Sequence, residues 1–442
     1  MNIRKKATAI RLLDFKSAPM RAFHMSWLAF FLCFFGWFGL APLMPVIRQE
    51  LHLTKEQIGN SIIASVAITV LARLLIGWLC DRIGPRRAYT WLLVLGSVPV
   101  TGAGFAHDYT SFMVIRLAIG AIGASFVITQ FHTSVMFAPE IVGTANATVA
   151  GWGNLGGGVT QMLMPVVFGG FLALGAGQWW AWRLAMVVPG IALFATGVAY
   201  YLLTKDTPDG NFDELRRKGE LQDRAAVTGA FWEACRDGRV WALAVIYGGC
   251  FGLELTIDNI AALYFVDYFK LTLATAGLVA GTFGMMNIFA RALGGLVSDE
   301  CAKRWGLRGR TVFLFITIGC EGLALCCFSQ ARWLPLAIGC MLISGVFIKM
   351  SNGATYSVAP FINRRAIGAV SGIVGAGGNA GAVLAGFLFK TKSLSWPQAI
   401  LILGIIVAAS SLLALLVRFR EAEDPTSSMD ARLIPATAGA GD

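Results

Sequence analysis

Long apolar runs follow one another along most of the chain, and short polar or charged stretches separate them. A helix needs about 20 mainly apolar residues to cross a bilayer. The pattern therefore predicts an all-α polytopic membrane protein. Twelve runs reach the required length, and they predict helices at approximately 24–47, 58–80, 88–106, 111–135, 142–175, 183–204, 240–268, 273–297, 311–329, 333–358, 363–390 and 396–418.

Composition and charge agree with this class. Of the 442 residues 56% are hydrophobic and 14% are charged, against about 25% charged in soluble domains. Of the 36 lysines and arginines, 25 lie in the two tails and in alternate loops, whereas seven lie in the opposite loops and helix edges. This positive-inside pattern predicts that both termini are cytoplasmic, and it accounts for the net charge of +11 without nucleic acid. The remaining four lie within spans: Arg73, Arg116, Arg291 and Lys349.

Metal, disulfide and catalytic signatures are not evident. The nine cysteines are scattered without a C-x-x-C motif, and the four histidines form no metal-ligand cluster, so neither a metal site nor a disulfide framework is expected. The first apolar run is too long for a cleavable signal peptide. Since no nucleophile, base and orienting group occur together, we expect neither an enzyme nor a cofactor.

Two glycine-rich stretches, each with an asparagine, lie within predicted spans. Residues 150–158 contain five glycines around Asn154, and residues 375–381 contain four around Asn379. Small residues allow membrane helices to approach closely, and lipid offers an amide group no partner. We therefore expect both stretches to pack inside the protein, with their asparagines facing the interior.

The second half of the chain repeats features of the first. The sequence Ala-Arg73, with Gly77 and Asp81, recurs as Ala-Arg291, with Gly295 and Asp299, at a constant offset of 218, and the two asparagines are 225 apart. Such duplication predicts two pseudo-symmetric six-helix bundles with a substrate at the midplane between them. The predicted organisation is a basic tail (1–23), a first bundle (24–203), a cytoplasmic linker (204–239), a second bundle (240–418) and a C-terminal tail (419–442).

The loop after the second predicted helix carries a more specific motif. Gly77-x-x-x-Asp81-Arg82-x-Gly-x-Arg86-Arg resembles the loop motif between helices 2 and 3 of the major facilitator superfamily. The resemblance implies a gating and folding element rather than a substrate site. Arg116 of helix 4 and Asp299, the counterpart of Asp81, are expected in the same set of gating charges.

The paired arginines and the paired glycine stretches together resemble the nitrate/nitrite porter family, most closely its nitrate-transporter branch of cyanobacteria, algae and plants. The resemblance implies that Arg73, Arg291 and Tyr247 contact the substrate and that Phe126 stacks over the anion. The two glycine stretches match the signature motifs of that family. We expect Gly153, Gly157 and Gly378 to belong to packing surfaces that narrow the site, and Asn154 and Asn379 to reach the substrate or each other. A guanidinium is a planar fork of fixed donors that suits a small planar anion such as nitrate, with one arginine from each half.

Four further ionisable groups lie within the second set of spans: Glu254, Asp258, Glu321 and Lys349. One interpretation is that Lys349 pairs with a helix 7 carboxylate and serves packing. The other is that Glu254, ahead of Asp258, takes up a proton and couples transport to it. The sequence leaves the role of Glu321 open.

The sequence thus predicts a multi-pass transporter of the cell membrane that imports nitrate, and also nitrite, by alternating access, coupled to protons. Its expected partners are nitrate or nitrite, protons and lipid. Three alternatives stay open: a nitrate/nitrite exchanger, a transporter of another small anion, and an anion sensor without transport. Affinity, stoichiometry, oligomeric state and the need for an accessory subunit do not follow from the sequence.

Overall fold

The computed structural model describes residues 6–220, 224–271, 273–390 and 394–419, so residues 1–5 of the predicted basic tail and all but the first residue of the C-terminal tail lie outside it. The regular structure of the described residues is helical. The α-helices are α1 (Ala18–Phe38), α2 (Met44–Glu50), α3 (Lys55–Ile83), α4 (Pro85–Thr101), α5 (Tyr109–Gly120), α6 (Ser125–Met136), α7 (Val142–Ala173), α8 (Gln178–Leu203), α9 (Phe212–Arg217), α10 (Arg224–Arg236), α11 (Gly238–Phe269), α12 (Leu273–Met285), α13 (Ala290–Gln330), α14 (Leu334–Ile362), α15 (Ile367–Lys390) and α16 (Trp396–Ser410), with 3₁₀ segments at Gly102–Phe105, Ala121–Ala124, Met286–Ile288 and Ser411–Leu416.

Ten helical segments of the described residues are long and apolar enough to cross a membrane, and α7 adds an eleventh as two pieces bent by 42°. One of the ten, Val279–Gln330, has 52 residues, whereas about 20 suffice for one crossing. Its helix is broken at Trp305 and at Gly306, where φ is +61°. A Cβ on Gly309 would meet the Cys301 carbonyl, although a straight helix would separate these residues by about 12 Å. The chain therefore reverses direction at Trp305 and Gly306, and we call the parts of α13 before and after this break its first and second arms. With each arm counted as part of a separate crossing and α7 as one, the described segments amount to the twelve predicted spans.

Several predicted boundaries differ from the observed ones. The first helix begins at Ala18, six residues before the predicted start, because Pro19 lies in its first turn, where proline is tolerated. The apolar run that was predicted to continue to 47 stops at Phe38 and resumes in the short helix α2. The predicted linker contains α9 and α10, and α11 already begins at Gly238.

The first glycine stretch lies in α7 and packs against helices of both halves. A Cβ on Gly153 or Gly156 would overlap Phe30 or the Phe31 backbone of α1, while one on Gly151 would meet the Asn287 carbonyl next to α13. Atoms of the neighbouring segments thus occupy the space that side chains at these positions would fill. The missing side chains therefore allow α1 and the second half to pack close to α7.

The second glycine stretch repeats this arrangement in α15. A Cβ on Gly377 or Gly381 would overlap the backbone of α11, and Gly372, one turn before the stretch, lies against Arg73 and Gly77 of α3. Each glycine-rich helix thus joins a helix of its own half to the arginine-bearing helix of the other half.

Candidate functional site

Arg73 of α3 is fully buried between the two halves. Its Nε donates to the Gly123 carbonyl (3.3 Å) and its Nη1 to the Gly375 carbonyl of the opposite half. Its guanidinium carbon lies 5.2 Å from the ring centre of Phe126 and 5.1 Å from that of Phe251. Nη2 has no hydrogen-bond partner within the described residues, so Arg73 retains an unused donor beside the aromatic rings.

Arg291 of α13 approaches the same rings from the second half. Its guanidinium carbon lies 5.4 Å from the Phe126 ring and 5.7 Å from the Phe251 ring. Nη2 donates to the Tyr247 hydroxyl (2.8 Å), and Nη1 lies 3.6 Å from Oε2 of Glu254. Among the described residues Nε and Nη1 make no hydrogen bond. The structure therefore brings the two predicted arginines to one place.

Aromatic side chains form the surface that both guanidinium groups share. Phe126 stacks on Tyr247 (5.7 Å between ring centres) and on Phe251 (5.8 Å), and Tyr356 meets it edge-on at 4.8 Å. These four rings, which we call the aromatic cluster, are fully or almost fully buried. They exclude water and strengthen any electrostatic interaction made by the arginines.

Glu254 of α11 lies at the centre of a buried polar network. Its Oε1 accepts from Lys349 Nζ (3.0 Å) and Asn287 (2.7 Å), and its Oε2 accepts from Asn352 (2.5 Å) and faces Arg291. The ammonium of Lys349 also lies 4.0 Å from the ring centre of Phe283. Lys349 thus pairs with a carboxylate of α11, which corresponds to the seventh predicted span, as the packing interpretation requires. Asp258, one turn further along α11, is exposed.

The predicted glycine and asparagine residues lie around this site rather than in one cluster. Gly378 packs on Tyr247 and Phe251, Gly153 packs on Phe30, and the nearest atom to a Cβ on Gly157 is 3.4 Å away on Phe38. The last distance leaves room for a methyl group.

The two asparagines do not meet in this conformation. Asn379 donates to the Val66 carbonyl (3.4 Å) in the other half, whereas neither amide atom of Asn154 has a partner among the described residues. A direct contact between Asn154 and Asn379 is therefore absent here, and their predicted role at the substrate stays a prediction.

The two aspartates of the repeat join the halves at the end of the bundle that carries loops 82–87, 204–211 and 363–366, which we call the basic end. Asp81 accepts from the Gly368 (3.2 Å) and Ala369 (2.9 Å) amides at the start of α15. Asp299 accepts from the amides of Gly143 and Thr144 (3.2 and 2.6 Å) at the start of α7. A carboxylate at a helix N-terminus satisfies free amides and opposes the positive end of the helix dipole.

Two other predicted gating residues, Arg82 and Arg86, lie at the basic end. Arg82 lies over Trp78, and Arg86 donates to the Tyr201 carbonyl (2.8 Å) and binds Asp206 through its backbone amide (2.9 Å). Burial raises the pKa of Asp206 to about 6.

Arg116 was wrongly predicted to belong to this cluster. It contacts the Trp37 carbonyl (3.5 Å) near the far end of α1, because α5 begins at the end of the bundle opposite the basic end. Arg310 instead pairs with Asp299 and donates to the Pro139 carbonyl (2.9 Å) of the first half.

Sequence reasoning missed part of the site. Phe251 and Asn287 lie four residues from Tyr247 and Arg291, respectively, so helical spacing could have identified both. Tyr356 and Asn352 lie on α14, and nothing in the local sequence connects them with the arginines.

Comparisons with known proteins agree with this architecture. Residues 26–362 match the Major Facilitator Superfamily. The structure superposes on the proton:xylose symporter XylE with a TM-score of 0.70 and 13% identity, over 94% of this chain and 99% of that one. It superposes on the human organic anion transporter MFSD10 with a TM-score of 0.66 and 12% identity, over 90% and 100% of the two chains. At such identities the likeness establishes the fold alone.

Sequence relatives are closer. The chain is 42% identical to the high affinity nitrate transporter 2.5 of Arabidopsis thaliana over 94% of this chain and 82% of that protein. It is 36% identical to nitrate transporter 2.2 of Chlamydomonas reinhardtii over the same shares, and 30% identical to the nitrate/nitrite transporter NrtP of Nostoc punctiforme over 82% and 85%. The chain is therefore a multi-pass membrane transporter and not an enzyme, and it belongs to the nitrate-transporter family within the Major Facilitator Superfamily.

Proposed function

We propose that this chain carries nitrate, and also nitrite, across the cell membrane by alternating access, in symport with protons. The observation that supports this most directly is the pair of buried arginines, one from each half, that retain unused donors beside one aromatic cluster. A planar anion between two guanidinium groups can accept hydrogen bonds from both at once. Phe126, which both arginines approach, offers a flat apolar surface to the face of such an anion.

The residue assignment follows from these contacts. Arg73 and Arg291 supply the charge, Tyr247 fixes the orientation of Arg291, and Phe126 and Phe251 exclude water. A monovalent anion neutralises one of the two charges, which are costly to bury unpaired. Larger organic anions would have to displace buried rings, so the geometry favours nitrate and nitrite over them.

Glu254 is the group through which we propose that a proton acts on the anion, with Lys349 as its fixed partner and Asp258 as a secondary candidate. Glu254 is linked to Lys349 and to Arg291, so any change of charge near this carboxylate is felt at the anion site. If one proton accompanies each nitrate, the loaded and the empty carrier have equal charge. The change between the two orientations then meets the same electrostatic cost in the loaded and in the empty carrier.

We place the basic end in the cytoplasm, because it carries the loops that are rich in lysine and arginine. In this conformation Asp81 and Asp299 hold the two halves together at that end. We propose that these contacts break when the site opens to the cytoplasm and form again when it opens outward.

The test is uptake of labelled nitrate into liposomes that contain the purified chain, with and without an inward proton gradient. We expect accumulation with the gradient, up to about tenfold for one pH unit if one proton moves with each nitrate. The Arg73→Lys protein should neither bind nor carry nitrate. Arg116→Lys, which alters a buried arginine outside the aromatic cluster, is the matched control and should retain uptake. Nitrate transport by the Arg73→Lys protein at the wild-type rate would refute the assignment.

Nitrate/nitrite exchange is the second candidate. The hydrogen bonds and ion pairs that both Glu254 carboxylate oxygens make favour it. A carboxylate held by two amide donors and two cations is stabilised in its ionised form, which leaves two arginines to cycle with an anion always bound. Exchange at equal pH without any accumulation under a proton gradient would favour the exchanger.

A further inference from the structure

Glu321 is a second buried carboxyl group of the C-terminal half that the anion site does not use. It lies on the second arm of α13 and is fully buried. Its neighbours are Cys250 of α11 and Ser351 of α14, and the adjacent Gly322 packs directly on Ala408 of α16. Glu321 therefore lies behind α11, inside the core of one bundle.

Within the described ranges no cation forms an ion pair with this carboxyl group. Neither oxygen has a hydrogen-bond partner among the described residues, and the Ser351 hydroxyl, which faces it, also lacks one. An ionised carboxylate without a partner in a dry interior costs several kcal/mol or more. A neutral carboxylic acid avoids that cost and can donate its O–H to Ser351.

The charges around Glu321 favour the same form. On α11 the facing groups are Glu254, an acidic neighbour, and the Cys250 thiol. On α14 the ammonium of Lys349 is bound to Glu254 Oε1 at 3.0 Å. Helix α16, Trp396–Ser410, has no charged residue in its sequence. The groups that face Glu321 from each packed helix therefore repel a second negative charge or leave it unpaired.

We propose that Glu321 holds the proton that is transported with the anion, and that Glu254 transmits its effect to Arg291. This inference rests on the proposed symport and names the residue that carries its proton. The step is a simple acid–base exchange. On the uptake side an O–H bond of a hydronium ion breaks as the Glu321 carboxylate takes its proton, and on the release side the Glu321 O–H bond breaks as the proton returns to a water molecule.

Anion and proton then reinforce each other's binding. A nitrate ion on Arg291 adds a negative charge on the far side of Glu254, which makes ionisation of Glu321 still less favourable. Since linkage is reciprocal, protonation of Glu321 must favour nitrate binding by the same factor. Glu254 itself stays ionised, held by Lys349, and serves as the fixed charge between the two sites.

The test uses the Glu321→Gln protein, because glutamine has the shape of the protonated acid but cannot release a proton. In liposomes we expect nitrate exchange at equal pH within about twofold of the wild type. We also expect that a gradient of one pH unit no longer drives accumulation, a loss of up to about tenfold. Thr317→Val is the matched control: its hydroxyl bonds only to carbonyls of its own helix, and both activities should be retained.

Infrared difference spectra of the purified protein, with and without nitrate, test the proton site without transport. We expect a nitrate-dependent carboxylic-acid C=O band in the wild type that is absent from Glu321→Gln. The same band unchanged in Glu321→Gln, or no such band in the wild type, would overturn the inference. If the wild type accumulates nitrate and Glu321→Gln does so equally, the symport stands but Glu321 is not its proton site. If the wild type exchanges nitrate but never accumulates it, the proposed symport fails, and the inference that Glu321 carries the transported proton fails with it.

Discussion

The two arginines of the site occupy equivalent positions in the repeat but have different surroundings. Arg73 is held by two backbone carbonyls, Gly123 and Gly375, whereas Arg291 is held by side chains, the hydroxyl of Tyr247 and the carboxylate of Glu254. A carbonyl contributes only a dipole, whereas the Glu254 carboxylate carries a full charge and lies between Arg291 and a second carboxyl group, Glu321. Arg73 therefore offers a constant field to the anion, while the field at Arg291 can be regulated.

This difference extends to the two halves as a whole. The six predicted spans of the first half contain no acidic residue, whereas those of the second contain Glu254, Asp258, Asp267 and Glu321. The duplication kept the buried arginine in both halves, but acidic residues within the predicted spans occur in only one of them. We infer that the first half binds and the second half both binds and couples.

The largest effect is expected from replacing either arginine by lysine, since an ammonium cannot reproduce two parallel N–H donors. Arg73→Lys and Arg291→Lys should each weaken nitrate binding by at least about 30-fold, or about 2 kcal/mol. Calorimetric titration of the purified proteins measures this. Wild-type affinity in either variant would contradict the shared site.

A double-mutant cycle separates the two environments. Arg291→Gln leaves Glu254 with one cation fewer, so Glu254→Gln should partly restore the stability of the Arg291→Gln protein, with a coupling of about 0.5–3 kcal/mol. The same change in the Arg73→Gln protein should show no coupling, because Arg73 has no carboxylate partner. Thermal unfolding in detergent measures both coupling energies. Equal coupling energies would contradict the proposed difference between the surroundings of Arg73 and Arg291.

Replacement of the glycines beside the two arginines should also change the stability of the protein to different extents. A Cβ on Gly151 would lie 2.6 Å from the Asn287 backbone oxygen, whereas one on Gly375 would lie 3.2 Å from the Tyr356 hydroxyl and 3.4 Å from the Arg73 side chain. Backbone cannot move aside as a side chain can. We therefore expect Gly151→Ala to lower the free energy of unfolding, measured in detergent, by about 1–3 kcal/mol and Gly375→Ala to lower it by less. Gly158→Ala, which would contact nothing within 4 Å, is the control. A larger loss for Gly375→Ala would show that the Arg73 side is the more rigid.

The smallest effect concerns Asp206, a buried carboxylate in the loop that follows the first half. Burial raises its pKa to about 6 from an ordinary 3.8. Between pH 4 and 6 the folded protein therefore binds a proton that the unfolded chain does not, and the contribution of Asp206 to stability falls as the pH rises through that window.

Asp206→Asn should remove this pH dependence of Tm, which we expect to amount to about 2 °C in the wild type. Asp209→Asn, in the same turn, is the control. An unchanged pH profile of Tm in Asp206→Asn would show that another group titrates there.

The fold and the central pair of residues could be predicted because they depend on patterns within the sequence. Apolar run lengths gave the spans, and the constant offset of 218 placed Arg73 and Arg291 in equivalent helices. The error at Arg116 came from joining a charge to a motif without tracing the direction of its helix. The partners of Glu254 could not be predicted, because Lys349 and Asn352 lie about 95 residues away and only packing selects which carboxylate they meet.

Glycine faces glycine where the two halves touch at the basic end. Gly77 of α3 lies against Gly368 and Gly372 of α15, and Gly295 of α13 lies against Gly143 of α7. At these positions backbone meets backbone, so fewer side chains have to change rotamer when one half shifts against the other than in an interface of interlocking side chains. If the halves rock as proposed, we expect the release of Asp81 and Asp299 to contribute more to the barrier of each transport cycle than repacking of the glycine contacts does.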